Sequence, residues 1–104
     1  MDPDDSWPFD QPQNCATLTT THVVRAGEVI THVYHDADDH GWQFHASRPA
    51  TSADAMVVAL REIVDLDATV LEVADLPPGW MATRVAVGDP WKRSRNPSEE
   101  EDAT

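Results

Sequence analysis

Apolar and polar residues alternate through the first half of the chain and change period near its middle. Residues 16–24 (Ala-Thr-Leu-Thr-Thr-Thr-His-Val-Val) are rich in Thr and Val and contain no Gly or Pro, which predicts a strand. Arg25-Ala26-Gly27-Glu28 then supplies a turn. In residues 29–35, Val29, Thr31 and Val33 alternate with Ile30, His32 and Tyr34, so both sides are partly apolar, as in a central strand. After a second turn at Asp36–Gly41, with Gly41 expected at positive φ, Trp42 and Phe44 share one side of a third strand. The three are expected to form an antiparallel meander.

Beyond Arg48-Pro49 the period lengthens. Met56, Val57, Leu60, Ile63 and Val64 fall on one face of a helix over 52–65, with Thr51 or Ser52 as its cap and Asp54 in its first turn. Asp67 offers a second cap before a short helix carrying Val70, Leu71 and Ala74, and Leu76-Pro77-Pro78-Gly79 ends it. Residues 80–87 (Trp-Met-Ala-Thr-Arg-Val-Ala-Val) predict a fourth strand. The order βββα, a short helix, then β predicts an α+β fold: an antiparallel sheet of about four strands covered by one long helix.

A length of 104 residues fits one domain. Seven Lys and Arg against nineteen Asp and Glu give a formal charge of −12, which opposes binding to a phosphate backbone. Asp2, Asp4, Asp5 and Asp10 crowd the start, and Glu99, Glu100, Glu101 and Asp102 the end, so residues 15–95 are only mildly acidic. The expected division is an acidic N-terminal extension over 1–14, a single domain over 15–93 and a disordered acidic tail over 94–104. Trp7, Pro8 and Phe9 could dock on the domain as an apolar latch. No run approaches the ~18 apolar residues of a membrane span. The opening residues carry no basic and apolar signal segment, and a cytoplasmic location is expected by default. One cysteine, Cys15, cannot close an internal disulfide, which suits a reducing compartment.

Three groups of residues could carry chemistry. The first is His22, His32, His35, His40 and His45, but zinc needs three or four converging ligands and strand parity puts His32 opposite His35. His35 and His40 could meet across the turn, and His22, His32 or His45 across strands; half-buried imidazoles in a sheet are the plainer reading. Asp36-Ala37-Asp38-Asp39-His40-Gly41 starts like a calcium loop, yet Ser47 stands where the closing Glu belongs. A polar hairpin loop fits better. Cys15 lies at the junction of the acidic N-terminal stretch and the first strand, where nearby negative charge would weaken thiol reactivity, and Gly27, Gly41, Gly79 and Gly88 are isolated turn residues rather than a phosphate loop. Neither an enzyme nor a bound metal or cofactor is expected.

Residues 21–45, with Asp39, Gly41, Trp42 and Phe44, and residues 60–84, with Leu66, Asp67, Pro78 and Gly79, together resemble an uncharacterised bacterial domain family. The resemblance implies two strands leading to an Asp-rich turn and a Gly-Trp strand, then a helix, a Leu-Asp step and a Pro-Gly turn. Some members are predicted immunity proteins of polymorphic toxin systems, which bind a toxin and perform no chemistry. His40 stands where relatives often have Ser, and no catalytic residue is carried over.

The expected function is thus a small acidic interaction module that binds a basic protein partner, with toxin neutralisation as its sharpest form. Asp36, Asp38, Asp39, His40 and Trp42 are the expected partner-binding residues, since they join charge for steering to an aromatic for burial. The alternative is a metal- or small-ligand-binding protein or enzyme using the His and Asp residues around the second turn.

Overall fold

A computed structural model of the chain describes residues 7–96. The Thr-rich segment forms strand β1 (Ala16–Thr20), but Thr21–Val24 turn into a short helix, α1. That turn brings Val23 into the core, and Gly27 at φ +70° carries the chain back. Burial of Val23 outweighs the strand preference of the sequence there. β2 (His32–His35) and β3 (Trp42–His45) then form the expected hairpin, with His35 opposite Trp42 and His32 opposite His45.

The expected helix over 52–65 is not formed. Ser52–Asp54 make one 3₁₀ turn, with the Asp54 carboxylate accepting from the Thr51 N–H at 3.0 Å. Ala55–Ala59 form a strand, β4, which pairs antiparallel with β1. The helix that follows, α2, covers only Leu60–Leu66, and Glu62 takes the Ala59 N–H at its start. Met56, Val58 and Leu60 satisfy a period of two as well as Met56, Leu60 and Ile63 satisfy a helix, and β-branched Val57-Val58 favour the strand.

The short helix after Asp67 appears as a 3₁₀ segment, Ala68–Val73, capped by Asp67, whose side chain accepts from the Thr69 N–H at 2.9 Å. β5 (Trp80–Thr83) follows Gly79 at φ +88° and stops earlier than expected; Val85 beyond it is 86% exposed. Lys92–Arg95 add a sixth strand, β6, paired antiparallel with β5.

The sheet is therefore six-stranded and mixed, in the order β4-β1-β3-β2-β5-β6. It is not a four-stranded antiparallel sheet under one long helix. The meander fails as well, because β1 lies parallel to β3, with Leu18 opposite Gln43, rather than beside β2. One face packs Val33, Trp42, Phe44 and Ala82 against Leu60, Ile63, Val70 and Val73 from α2 and the 3₁₀ segment. By the same registers, Leu18, His32, Tyr34, Gln43, His45 and Met81 lie on the opposite face, which is only half-buried.

The expected boundaries at 15 and 93 fall within ordered structure. Phe9 is buried in the core with Trp7 packed against it, so the apolar latch is closed, and β6 runs to Arg95. The expectations for Asp2, Asp4 and Asp5 and for the acidic residues 99–102 lie outside the described residues. Among the described residues, no helix is long and apolar enough to cross a membrane.

Candidate functional site

The β2–β3 turn is built by its own polar side chains. The Asp36 N–H donates to the Gly41 carbonyl at 2.8 Å, and the Gly41 N–H donates to Asp39 Oδ1 at 2.8 Å. The positive φ falls on His40, at +58°, and not on Gly41 as expected. A Cβ at 41 would meet Asp39 Oδ1 at 2.9 Å, so a larger residue there would require the Asp39 carboxylate to shift from the Gly41 N–H.

Gln11 fastens the N-terminal segment to this turn. Its Nε2 donates to the His40 carbonyl at 3.0 Å, and its Oε1 accepts from Trp42 Nε1 at 2.8 Å. The structure thus brings Asp36, Asp38, Asp39 and His40 to one end of the sheet and turns Trp42 inward. Trp42 is 2% exposed; His35 stacks on it at 4.0 Å and Phe9 meets it edge-on at 5.1 Å. It supports the turn from beneath and gives no ring to the surface.

The turn carboxylates are unequally engaged. Both Asp36 oxygens accept from Gln43 Nε2, at 3.1 and 2.9 Å, while Asp38 and Asp39 are exposed. Among the described residues, the ion pairs of Arg48, Arg61, Arg84 and Arg93 are with Glu28, Asp65, Asp67 and Asp75, so none of these bases neutralises the turn.

Beneath it lies a cleft of about 490 Å³ walled by His35, His40, Asp10, Asp75, Pro77 and Pro78, among others. His35 Nδ1 hydrogen-bonds the Leu76 carbonyl at 2.6 Å, while its buried Nε2 has no partner among the described residues. The Arg93 hydrogen bond holds the Asp75 carboxyl below its ordinary range.

A second hollow, of about 460 Å³, opens on the half-buried sheet face along His32, Tyr34, Gln43 and His45. Gln43 Oε1 meets His45 Nε2 at 3.1 Å, which links His45 through Gln43 to Asp36. Burial pushes the His45 imidazole below its ordinary value and the facing His32 adds to this, against an opposite pull from Asp36. His45 should accordingly titrate below pH 6.5, its ordinary value, in a pH series of its ring NMR signals. Stability linked to this group is full above that ordinary value and lost as pH falls through the lowered one. A ring titrating above 6.5 would contradict the burial.

The histidines expected to approach one another do so in two separate places. His35 and His40 sit edge-to-face at 6.3 Å below the turn, and His32 and His45 are cross-strand neighbours on the other face. His22 instead lies 3.7 Å from Asp54. Among the described residues, no three His, Cys, Asp or Glu side chains come together as a metal site. Sequence reasoning missed Gln11, Asp10 and Asp75, which reach the site through long-range contacts, whereas alternation with His32 was a usable signal for Tyr34.

Comparison with known proteins gives no match: no family model, curated protein or solved structure is similar to this chain at a significant level. The functional reading therefore rests on the geometry.

Proposed function

We propose that the chain is a small non-enzymatic interaction module of the cytoplasm that captures a basic protein partner at the β2–β3 turn. Toxin neutralisation, drawn from the resemblance of residues 21–45 and 60–84 to predicted immunity proteins, is its sharpest form. The observation that carries the reading is the set of turn carboxylates, Asp36, Asp38 and Asp39, left without an ion pair among the described residues. They sit on a backbone already fixed by Gly41 and Gln11, so a partner would pay little ordering cost for docking there. Their field speeds the approach of a basic surface, such as that of a nuclease.

Replacing Asp36, Asp38 and Asp39 together by Asn should slow association with a basic partner by roughly tenfold at low salt and flatten its salt dependence. The melting temperature should change little, because Asp38 and Asp39 are exposed and Asn keeps an acceptor oxygen for the Gln43 and Gly41 bonds of Asp36 and Asp39. The measurement is the association rate against salt, with the product of a neighbouring toxin gene as probe. Equal rates for mutant and wild type at low salt would reject the turn as the docking site.

A small-ligand reading has one observation in its favour, the Nε2 of His35, without a partner among the described residues, beside the cleft below the turn. Metal content after chelator-free purification separates a metal-dependent form of it from the first reading.

A further inference from the structure

The two edges of the sheet are built differently. β6 presents Lys92, Arg93 and Arg95, and a row of charges discourages another strand from pairing there. β4 presents Ala55-Met56-Val57-Val58-Ala59, with no charge over its whole length, and Val57 is 68% exposed. An unguarded strand edge is a template for a further strand.

The register fixes which backbone groups of β4 are free. The Leu60 N–H donates to the Cys15 carbonyl at 2.8 Å, and β1 pairs with β4 with Ala16 opposite Ala59. Hydrogen-bonded pairs alternate in an antiparallel ladder, so Val58 and Met56 bond inward to β1, whereas Ala55, Val57 and Ala59 turn their N–H and C=O groups to the open edge. The Ala59 N–H confirms this direction, since it is taken by the Glu62 side chain and not by β1. The Ala55 N–H is taken by the Ser52 carbonyl, so among the described residues the groups left open are the N–H and C=O of Val57 and the carbonyls of Ala55 and Ala59.

We propose that β4 pairs with β4 of a second copy of this chain, antiparallel about a two-fold axis at Val57, so that two sheets become one. In that register Val57 faces Val57 and Ala55 faces Ala59 of the other copy, and the central Val57 pair exchanges N–H to C=O bonds in both directions. On the half-buried face, the two Val57 side chains cover one another beside small alanines. On the core face, Met56 comes opposite Val58 of the other copy, and both are partly buried already. Every contact of the seam is apolar or small.

The charges flanking the seam are also self-complementary. The same register brings Asp54, just before β4, to the Leu60–Arg61 end of the other strand. Arg61 is exposed, its own ion pair with Asp65 is loose, at 3.9 Å, and its Nη1 donates to Gln13 Oε1 at 3.2 Å, so Asp54 across the axis would meet a guanidinium that is only partly engaged. A second copy meets these demands twice over by symmetry, which is why it is the occupant assigned here. A perpendicular two-fold keeps both helical layers on one side, and the two His32/Tyr34/His45 faces join into one surface on the other.

A seam of five residues a side is small against the ~1,200 Å² at which stable interfaces begin, so the dimer should dissociate on dilution. Sedimentation equilibrium of the full chain from about 10 μM to 1 mM should show a reversible monomer–dimer equilibrium. Val57→Lys should raise the dissociation constant by roughly tenfold or more while leaving the circular dichroism and melting curve unchanged, because the side chain is exposed in the monomer. Val57→Pro removes an outward N–H that the β1 ladder does not use, and should also give a monomer. Val57→Cys in a Cys15→Ser background should oxidise to a disulfide-linked dimer, since Cα atoms of facing hydrogen-bonded residues lie about 5.5 Å apart. A chain that stays monomeric at 1 mM overturns the proposal, as does a dimer that survives Val57→Lys.

Discussion

Replacing Asp67 by alanine is expected to cost about 3–5 kcal/mol, because it leaves a buried guanidinium without its counter-charge. Asp67 Oδ2 lies 2.7 Å from Arg84 Nη2, and the Arg84 side chain is 1% exposed. The same arginine donates from Nε to the Ile30 carbonyl at 3.0 Å and from Nη1 to Thr69 Oγ1 at 2.8 Å, and its guanidinium lies 4.1 Å over the Trp91 ring. It therefore ties β5, the approach to β2, the 3₁₀ segment and the start of β6 together. Asp67 also caps Ala68–Val73, and the lost cap adds about 1 kcal/mol. A domain of this size has ~5–15 kcal/mol in total, so the variant should be largely unfolded or close to it at 37 °C. Breaking the exposed Arg93–Asp75 pair with Arg93→Met should cost less than about 1 kcal/mol, which makes it the control. Urea unfolding of the three proteins checks this; similar midpoints for Asp67→Ala and wild type would mean that water reaches the Arg84 site.

Asp67 shows where the sequence is legible and where it is not. Its cap is local, two residues from the N–H it accepts, and was expected from Asp67-Ala-Thr-Val; its pairing with Arg84, 17 residues on, has no local signal. The same division runs through the fold. The β2–β3 hairpin was expected because Trp42 and Phe44 keep a strict period of two beside a turn of Asp and Gly. β4 was lost to a helix because Met56, Leu60, Ile63 and Val64 fit a helical face, and only its position beside β1 decides between the two. β6 has no hydrophobic pattern, since Lys-Arg-Ser-Arg is exposed throughout, and its strand form comes from long-range backbone pairing with β5.

The parallel pairing of β1 with β3 follows from inserting β3 between β1 and β2, an outcome of packing that alternation cannot carry. At the candidate site, the exposed carboxylates were legible as loop residues. The inward turn of Trp42 was implied by its sharing a side with Phe44, but its partners His35, Phe9 and Gln11 were not.

Trp42→Ala is expected to cost about 3–5 kcal/mol, the loss typical of a large buried aromatic, and to free the N-terminal segment from the turn. The indole fills the space between His35, stacked at 4.0 Å, and Phe9, edge-on at 5.1 Å, and its Nε1 holds Gln11 Oε1 at 2.8 Å. Without it Gln11 loses one of its two ties, and the His40 carbonyl is left with a weakened one. Chymotrypsin should then cut after Phe9 far faster than in the wild type, because the latch opens without global unfolding once its floor is gone. Trp42→Phe keeps most of the apolar volume and removes only the donor, so it should cost about 1–2 kcal/mol and leave Gln11 Oε1 to water. If the carboxylates of the turn do the steering and Trp42 only supports them, Trp42→Phe should associate with a basic partner at the wild-type rate at low salt, unlike the triple Asn variant. A Trp42→Phe protein that is fully stable yet binds tenfold more slowly would instead put the indole in the interface, against its burial in the free chain.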